Sequence, residues 1–217
     1  MNSSNAFKLF VQKKIMIKLY LYILGCLLFA LGATLFIKSG LGTDPLDVFA
    51  IGLKQTFGLK IGTSQSLFAI ICLLFWSAIN NWKFPPLTTF LTFFFCGYLI
   101  DFALFLTENI RVNPWAEMLL GVVLCTQGSA LIIMSSFGIR AMDLLAICLH
   151  ERTKKPFWLY KGVFEATLLI SGYFLGGDVG FGTLLFLVFV GWFIQPTILI
   201  NQKLGLQILV QSNKWLL

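Results

Sequence analysis

Charge is scarce in this chain and imidazole is nearly absent. Asp, Glu, Lys and Arg make up 12% of the 217 residues, about half of the roughly 25% found in a soluble domain. One histidine, His150, is the whole supply, so a Ser/His or Cys/His relay has almost nothing to draw on. The sequence contains no HExxH, no GxSxG and no nucleotide-binding P-loop, which argues against an enzyme and places any use of ATP elsewhere. The five cysteines, Cys26, Cys72, Cys96, Cys125 and Cys148, lie inside apolar runs without a CxxC pair. They read as buried thiols packing as small hydrophobes, and neither a metal nor a cofactor is expected. His150 stands at a basic helix end and reads as solvated or interfacial.

What is present is grease. Hydrophobic residues account for 58% of the chain and mean hydropathy is +0.88, the composition of a polytopic membrane protein. Crossing a ~30 Å hydrocarbon core takes ~20 apolar residues, and about six runs approach that length: 18–37, 62–80, 86–106, 117–134, 157–175 and 180–200. They use up most of the chain, so residues 1–217 are expected to form a single membrane domain. The N-terminal "MNSSNAFKLFVQKK" is basic, but the run after it is longer than a signal-peptide core and has no small-residue cleavage pattern. It reads as a retained first helix. A net charge of +7 invites thoughts of nucleic acid, yet the basic residues sit at the ends of apolar runs and form no stripe. The partner they imply is the lipid bilayer.

The chain repeats itself. Shifting the sequence by 96 residues aligns "GCLLFALGATLFIKSGLGTDPLDVFAIGL" with "GVVLCTQGSALIIMSSFGIRAMDLLAICL", and 11 of 29 positions are identical. Among them are Gly25/Gly121, Gly32/Gly128, Gly42/Gly138 and Asp47/Asp143. Farther on, "LTTFLTFFFCGYLID" matches "FGTLLFLVFVGWFIQ", pairing Gly97 with Gly191 and Asp101 with Gln195. Leucines match cheaply in such a composition, whereas glycines and aspartates do not. The expected fold is therefore all-α, with about six transmembrane helices in two homologous halves, about 18–106 and 115–201. Each half reads as helix, Gly-rich break, short helix, helix, helix. The short pieces, 45–57 and 141–151, have the length of re-entrant or interfacial segments.

Three spans per half would invert the second half relative to the first. With both termini in the cytoplasm of a cell with an inner membrane, six spans place 12 basic residues inside and 4 outside, as the positive-inside rule requires. Eight spans, with the short helices crossing and the halves parallel, give 13 to 3. The rule does not separate the two; the shortness of the helices, with Lys54 and Asp47 on one of them, favours six.

The breaks concentrate the polarity. Gly40 and Gly42 permit positive φ, Asp44-Pro45 reads as an N-cap followed by proline at the first helical position, and Asp47 falls at the third. Those roles alone account for both aspartates as helix starters. Gly/Pro-interrupted segments at matching places of two halves are also the best sequence pointer to a solute site. On that reading Asp44, Asp47, Arg140 and Asp143 are the candidate substrate-binding residues, and Gly40, Gly42, Pro45 and Gly138 shape the breaks. Arg140 stands where the first copy has Asp44, which suits a solute or coupling ion charged at one end. Asp101, Gln127, Lys161, Glu165 and Gln195 form a second set of polar residues inside apolar runs. Asp101 reads equally as a proton-coupling group or a snorkelling carboxylate. Lys161 and Glu165, spaced i,i+4, read as an ion pair, and the matching Gln65 and Ala69 carry no charge. Gly25, Gly32, Gly121 and Gly128, spaced by seven in each half, are read as helix contacts.

"GLGTDPLDVFAIGLKQTFGLKIGT" together with "GGDVGFGTLLFLVFVGWFIQ" resembles the YczE/YyaS/YitT group of small bacterial integral membrane proteins, over about residues 20–200. Gly40, Gly42, Pro45, Asp47, Gly62 and Thr63 carry the resemblance in the first half. Gly138, Asp143, Lys161, Glu165, Gly176, Gly177, Gly180, Gly182 and Thr183 carry it in the second. In that group the second half usually has a proline before its aspartate and an arginine at position 161; Ala141 and Lys161 depart from this. The resemblance implies a membrane fold and no particular activity. Two function classes remain: a permease for a small solute, and a non-transporting membrane-protein partner such as a substrate-capture subunit, regulator or assembly factor.

Overall fold

The computed structural model describes residues 3–204 apart from 86, 111, 136 and 156. The described residues are helical throughout their regular parts: α1 (Ser3–Ser39), α2 (Pro45–Phe57), α3 (Ile61–Ile79), α4 (Leu87–Leu106), α5 (Pro114–Ser135), α6 (Ala141–Thr153), α7 (Phe157–Phe174), α8 (Phe181–Leu185) and α9 (Gly191–Lys203). A π-helical turn, Phe186–Val190, joins α8 to α9. Among the described residues four stretches are long and apolar enough to cross a membrane: Ile15–Ser39, Ile61–Ile79, Thr88–Leu106 and Pro114–Ser135. Their outward faces carry Leu74, Phe75, Phe102, Leu119 and Val123, all exposed. So apolar an exterior needs a lipid solvent, and the chain is a helical membrane protein.

The centre is the crossing of α1 and α5. A Cβ at Gly25 would sit 2.9 Å from the Gly128 carbonyl oxygen, and one at Gly32 would sit 2.9 Å from the Gly121 carbonyl oxygen. Rising numbers on α1 meet falling numbers on α5, so the two helices run antiparallel. Without side chains at these four places the backbones come into van der Waals contact, which is the main attraction available where lipid is as apolar as leucine. The seven-residue glycine spacing thus does what the sequence led us to expect. At the far end of the crossing, Lys38 Nζ lies 3.6 Å from Glu117 Oε1 and donates to the Ile110 carbonyl at 2.8 Å.

Around this pair the short helices pack across the molecule. Gly52 of α2 lies against Gly172 of α7, and Thr56 Oγ1 donates to the Leu175 carbonyl at 3.0 Å. Likewise α6 packs on α3 through Ala141, Met142 and Leu145 against Ala69, Cys72 and Leu73, and Arg152 donates to the Ile79 carbonyl. Each short helix therefore ends beside the end of a long helix from the other part of the chain. The five cysteines are free and buried.

Two features differ from the sequence expectation. The first helix reaches back to Ser3, beyond the apolar run 18–37, which itself lies within the apolar span Ile15–Ser39, since nothing in "AFKLFVQKKIM" breaks a helix. The last run is not one regular helix: the chain from Gly176 to Gly180 is irregular, the π turn follows, and Pro196 lies inside α9. Proline lacks the N–H that a regular helix needs at that place.

Candidate functional site

The first break is built as a helix start. Gly40 and Gly42 take φ of 63° and 103°, which a side chain would oppose. Asp44 is the N-cap of α2, its Oδ1 accepting the Asp47 N–H at 2.8 Å, and Pro45 opens the helix. Asp47, 1% exposed, turns inward, and Gln65 Nε2 of α3 donates to its Oδ1 at 2.6 Å. Its Oδ2 and the hydroxyl of Thr43 are buried without a hydrogen-bond partner.

The second break uses other chemistry for the same turn. Arg140 holds the N-cap position of α6 without a side-chain cap. Instead its Nε donates to Asp143 Oδ2 at 2.9 Å, while Lys161 Nζ of α7 donates to Asp143 Oδ1 at 3.1 Å. Lys161 also lies 3.3 Å from Glu165 Oε1, so the expected i,i+4 pair is part of a four-residue network. Gly138 lies outside the left-handed region. Its lack of a Cβ serves close approach, for one there would meet the Thr92 side chain and the Thr88 carbonyl.

Both breaks are seated on the start of a distant helix. Gly138 rests on Thr88 and Thr92 of α4. Gly42 rests on Gly180 and Thr183, and the Gly182 N–H donates to the Leu41 carbonyl at 2.6 Å. This explains the glycines of "GGDVGFGT": a Cβ at Gly182 would sit 2.6 Å from the Gly42 carbonyl oxygen.

The two breaks open on one cavity. Asp44, Leu46 and Gln65 line it from one side, Gly138, Ile139, Arg140 and Asp143 from the other, with Phe29, Phe93, Thr92 and Ser129 between. The space open to the centre of a water molecule is ≈ 50 Å³, room for a few waters at ~10–15 Å³ each. Such a cavity suits a solute of a few heavy atoms, with a carboxylate and a guanidinium both on its wall.

Of the other singled-out residues, Asp101 caps α3, accepting the Ile61 and Gly62 N–H groups at 3.1 and 2.8 Å. Gln127 donates to Asn201 Oδ1 at 3.2 Å and ties α5 to α9. The side chain of Gln195 lies outside the described residues. The sequence reading passed over Gln65, Thr92 and Ser129. Gln65 had a signal: it aligns with Lys161, and the two residues turn out to serve corresponding aspartates.

Residues 16–198 match a family of unknown function, DUF6198. The chain belongs to that family. It is 33% identical over 169 residues to the uncharacterized protein YyaS of Bacillus subtilis (strain 168), covering 76% of this chain and 84% of the relative. It is 26% identical over 189 residues to the uncharacterized membrane protein YczE of the same strain, covering 85% and 87%. An uncharacterized protein of Haemophilus influenzae is 30% identical over 182 residues, covering 78% and 80%. No solved structure matches. YczE is named a membrane protein, in keeping with this fold, and the resemblance to YyaS and YczE stands.

Proposed function

We propose that the chain is a small-solute permease of the bacterial inner membrane, with the cavity between the two breaks as its solute site. The observation that carries this reading is the meeting of both breaks, 96 residues apart in sequence, on one cavity whose mostly apolar wall carries Asp44, Gln65, Arg140 and Asp143. Breaks at matching positions that face a buried site are the arrangement by which repeated transporters hold a solute. In this reading α1, α3, α4, α5, α7 and the run from α8 through α9 are six spans in two inverted halves within a single membrane domain, and both termini are cytoplasmic. Support comes from the antiparallel crossing of the glycine-matched α1 and α5. Support comes also from the short helices, whose ends lie beside α7 and α3 in a reciprocal pattern. The polar groups are carboxylates matched to cations and amides, which favours binding over catalysis. A solute with both charges, or a strong dipole, fits walls bearing Asp44 and Arg140.

The test is flux. Proteoliposomes or intact cells are screened with small zwitterionic and polar metabolites, and Arg140→Gln and Asp44→Asn are compared with the parent. Uptake or efflux that both variants abolish, while they remain folded, supports the reading. No flux for any solute, with a second membrane protein co-purifying in stoichiometric amount, would move the chain to the class of capture subunits, regulators and assembly factors.

A further inference from the structure

Asp47 and Asp143 both occupy the third position of a short helix, and both accept a hydrogen bond from the long helix that follows. Asp143 receives Lys161 on one oxygen and Arg140 on the other. Asp47 receives a neutral amide, Gln65, on Oδ1. Its Oδ2 and the hydroxyl of Thr43 make no hydrogen bond of regular geometry, although the hydroxyl lies near enough to stabilise this carboxylate. Both residues are 1% exposed.

Where the second break has Arg140, the first has Asp44, itself a buried carboxylate. Among the described residues no lysine or arginine pairs with Asp47. Four carboxylates, Asp44, Asp47, Asp143 and Glu165, thus stand against two cations, Arg140 and Lys161. Asp44 and Asp47 both lie at the start of α2 and neither has an ion pair; Asp44 accepts a backbone N–H as the helix cap, whereas Asp47 Oδ2 accepts none. A buried charge in that condition is costly unless something neutralises it. In the second half the protein supplies the neutralising cations itself.

We propose that Asp47 Oδ2 and Thr43 Oγ1 bind one small monovalent cation, Na⁺ or H⁺, which takes the place in the first half that Arg140 holds in the second. The single charge of one carboxylate matches a singly charged ion, and among the described residues no group of three His, Cys, Asp or Glu is gathered to hold a metal. The bound cation neutralises the face of α2 that adjoins the cavity, which makes it the coupling ion. Its coupling role rests on the permease reading; its binding does not. The other titratable groups whose charge would act on Asp47 are Asp44 in its own break, Asp101 and Cys96 on α4, and Cys125 on α5.

The test uses the full chain in nanodiscs of zwitterionic lipid with no solute added. Thermal unfolding is followed as NaCl replaces choline chloride at constant ionic strength, and infrared difference spectra are recorded across a pH series. A Na⁺ occupant raises Tm saturably, and Thr43→Val weakens the apparent Na⁺ affinity about tenfold or more, the loss of one oxygen ligand being comparable to the loss of a hydrogen bond to a charged group. An H⁺ occupant gives a protonated-carboxyl band that Asp47→Asn removes, with no Na⁺ response. Gln65→Lys gives Asp47 the partner that Asp143 has, so it removes whichever signal the parent shows while the protein stays folded. Should Asp47→Asn fail to fold, Gln65→Lys carries the decision. Absence of both signals in the parent, or a signal that survives Gln65→Lys, overturns the proposal. An intact cation response without solute flux would count against the permease reading alone.

Discussion

Gly25 of α1 lies directly on Gly128 of α5, close enough that a Cβ at Gly128 would come 2.7 Å from the Gly25 carbonyl oxygen and 2.5 Å from the backbone nitrogen of Phe29. The atoms in the way belong to backbone, so neither helix can yield without the other moving. This contact and its partner at Gly32 and Gly121 hold the molecule's two central helices at a distance no larger residue permits.

Gly128→Val is accordingly expected to destabilise the fold by about 1–3 kcal/mol or more, the cost of overpacking. Gly162→Ala is the control, since a Cβ there meets nothing within 4 Å. Thermal unfolding in detergent decides between them. Equal Tm for the two variants would show that the crossing tolerates a wider gap.

The antiparallel crossing leads to a statement about sidedness. Lys54 near the end of α2 and Lys154 just after α6 are both exposed, and inverted halves put them on opposite membrane faces. After replacement of the five buried cysteines, Lys54→Cys should react with an impermeant maleimide in intact cells and Lys154→Cys only after lysis. Reaction of both in intact cells would mean parallel halves and crossing short helices.

Asp101 offers a choice between capping and coupling. Its two hydrogen bonds to the start of α3 predict that Asp101→Ala costs about 1–2 kcal/mol of stability, as loss of a cap does. Asp101→Asn, which keeps one acceptor oxygen, should cost less and leave solute movement and cation response unchanged. If Asp101→Asn instead stopped transport at an unchanged Tm, the residue would have a part in coupling.

The network around Asp143 gives a fourth expectation. Lys161→Gln leaves Asp143 with Arg140 and leaves Glu165 without its cation, so it is expected to destabilise by about 1–3 kcal/mol, the range for hydrogen bonds to charged groups. Adding Glu165→Gln should recover part of that loss, because the stranded carboxylate is then neutral. A double-mutant cycle on thermal unfolding measures the coupling, and additive effects would mean that Lys161 and Glu165 act independently.

Helix starts and helix contacts were readable because their causes are local. Asp44-Pro45 begins a helix wherever it lies, and glycines spaced by seven mark one face of a helix whatever packs on it. The alignment of the two halves also named Asp47, Arg140 and Asp143 before any geometry was known. Alignment with Lys161 marked the position of Gln65, but not the group it bonds to. Only the approach of α3 to α2 gives it Asp47 as a partner. Asp101 is similar: its carboxylate caps a helix start 40 residues earlier in sequence, a contact that only the packing of α4 on α3 produces.

The sequence by itself determined the solvent, the long apolar helices and the breaks, because hydropathy, proline and glycine act through the residues beside them in the chain. The tertiary structure alone decided that the breaks share a cavity, that Asp143 is matched by two cations, and that Asp47 is matched by none. Those facts depend on which side chains meet across helices. Neutralisation of a buried charge is a matter of distance in space, and neighbours in space are not neighbours in sequence.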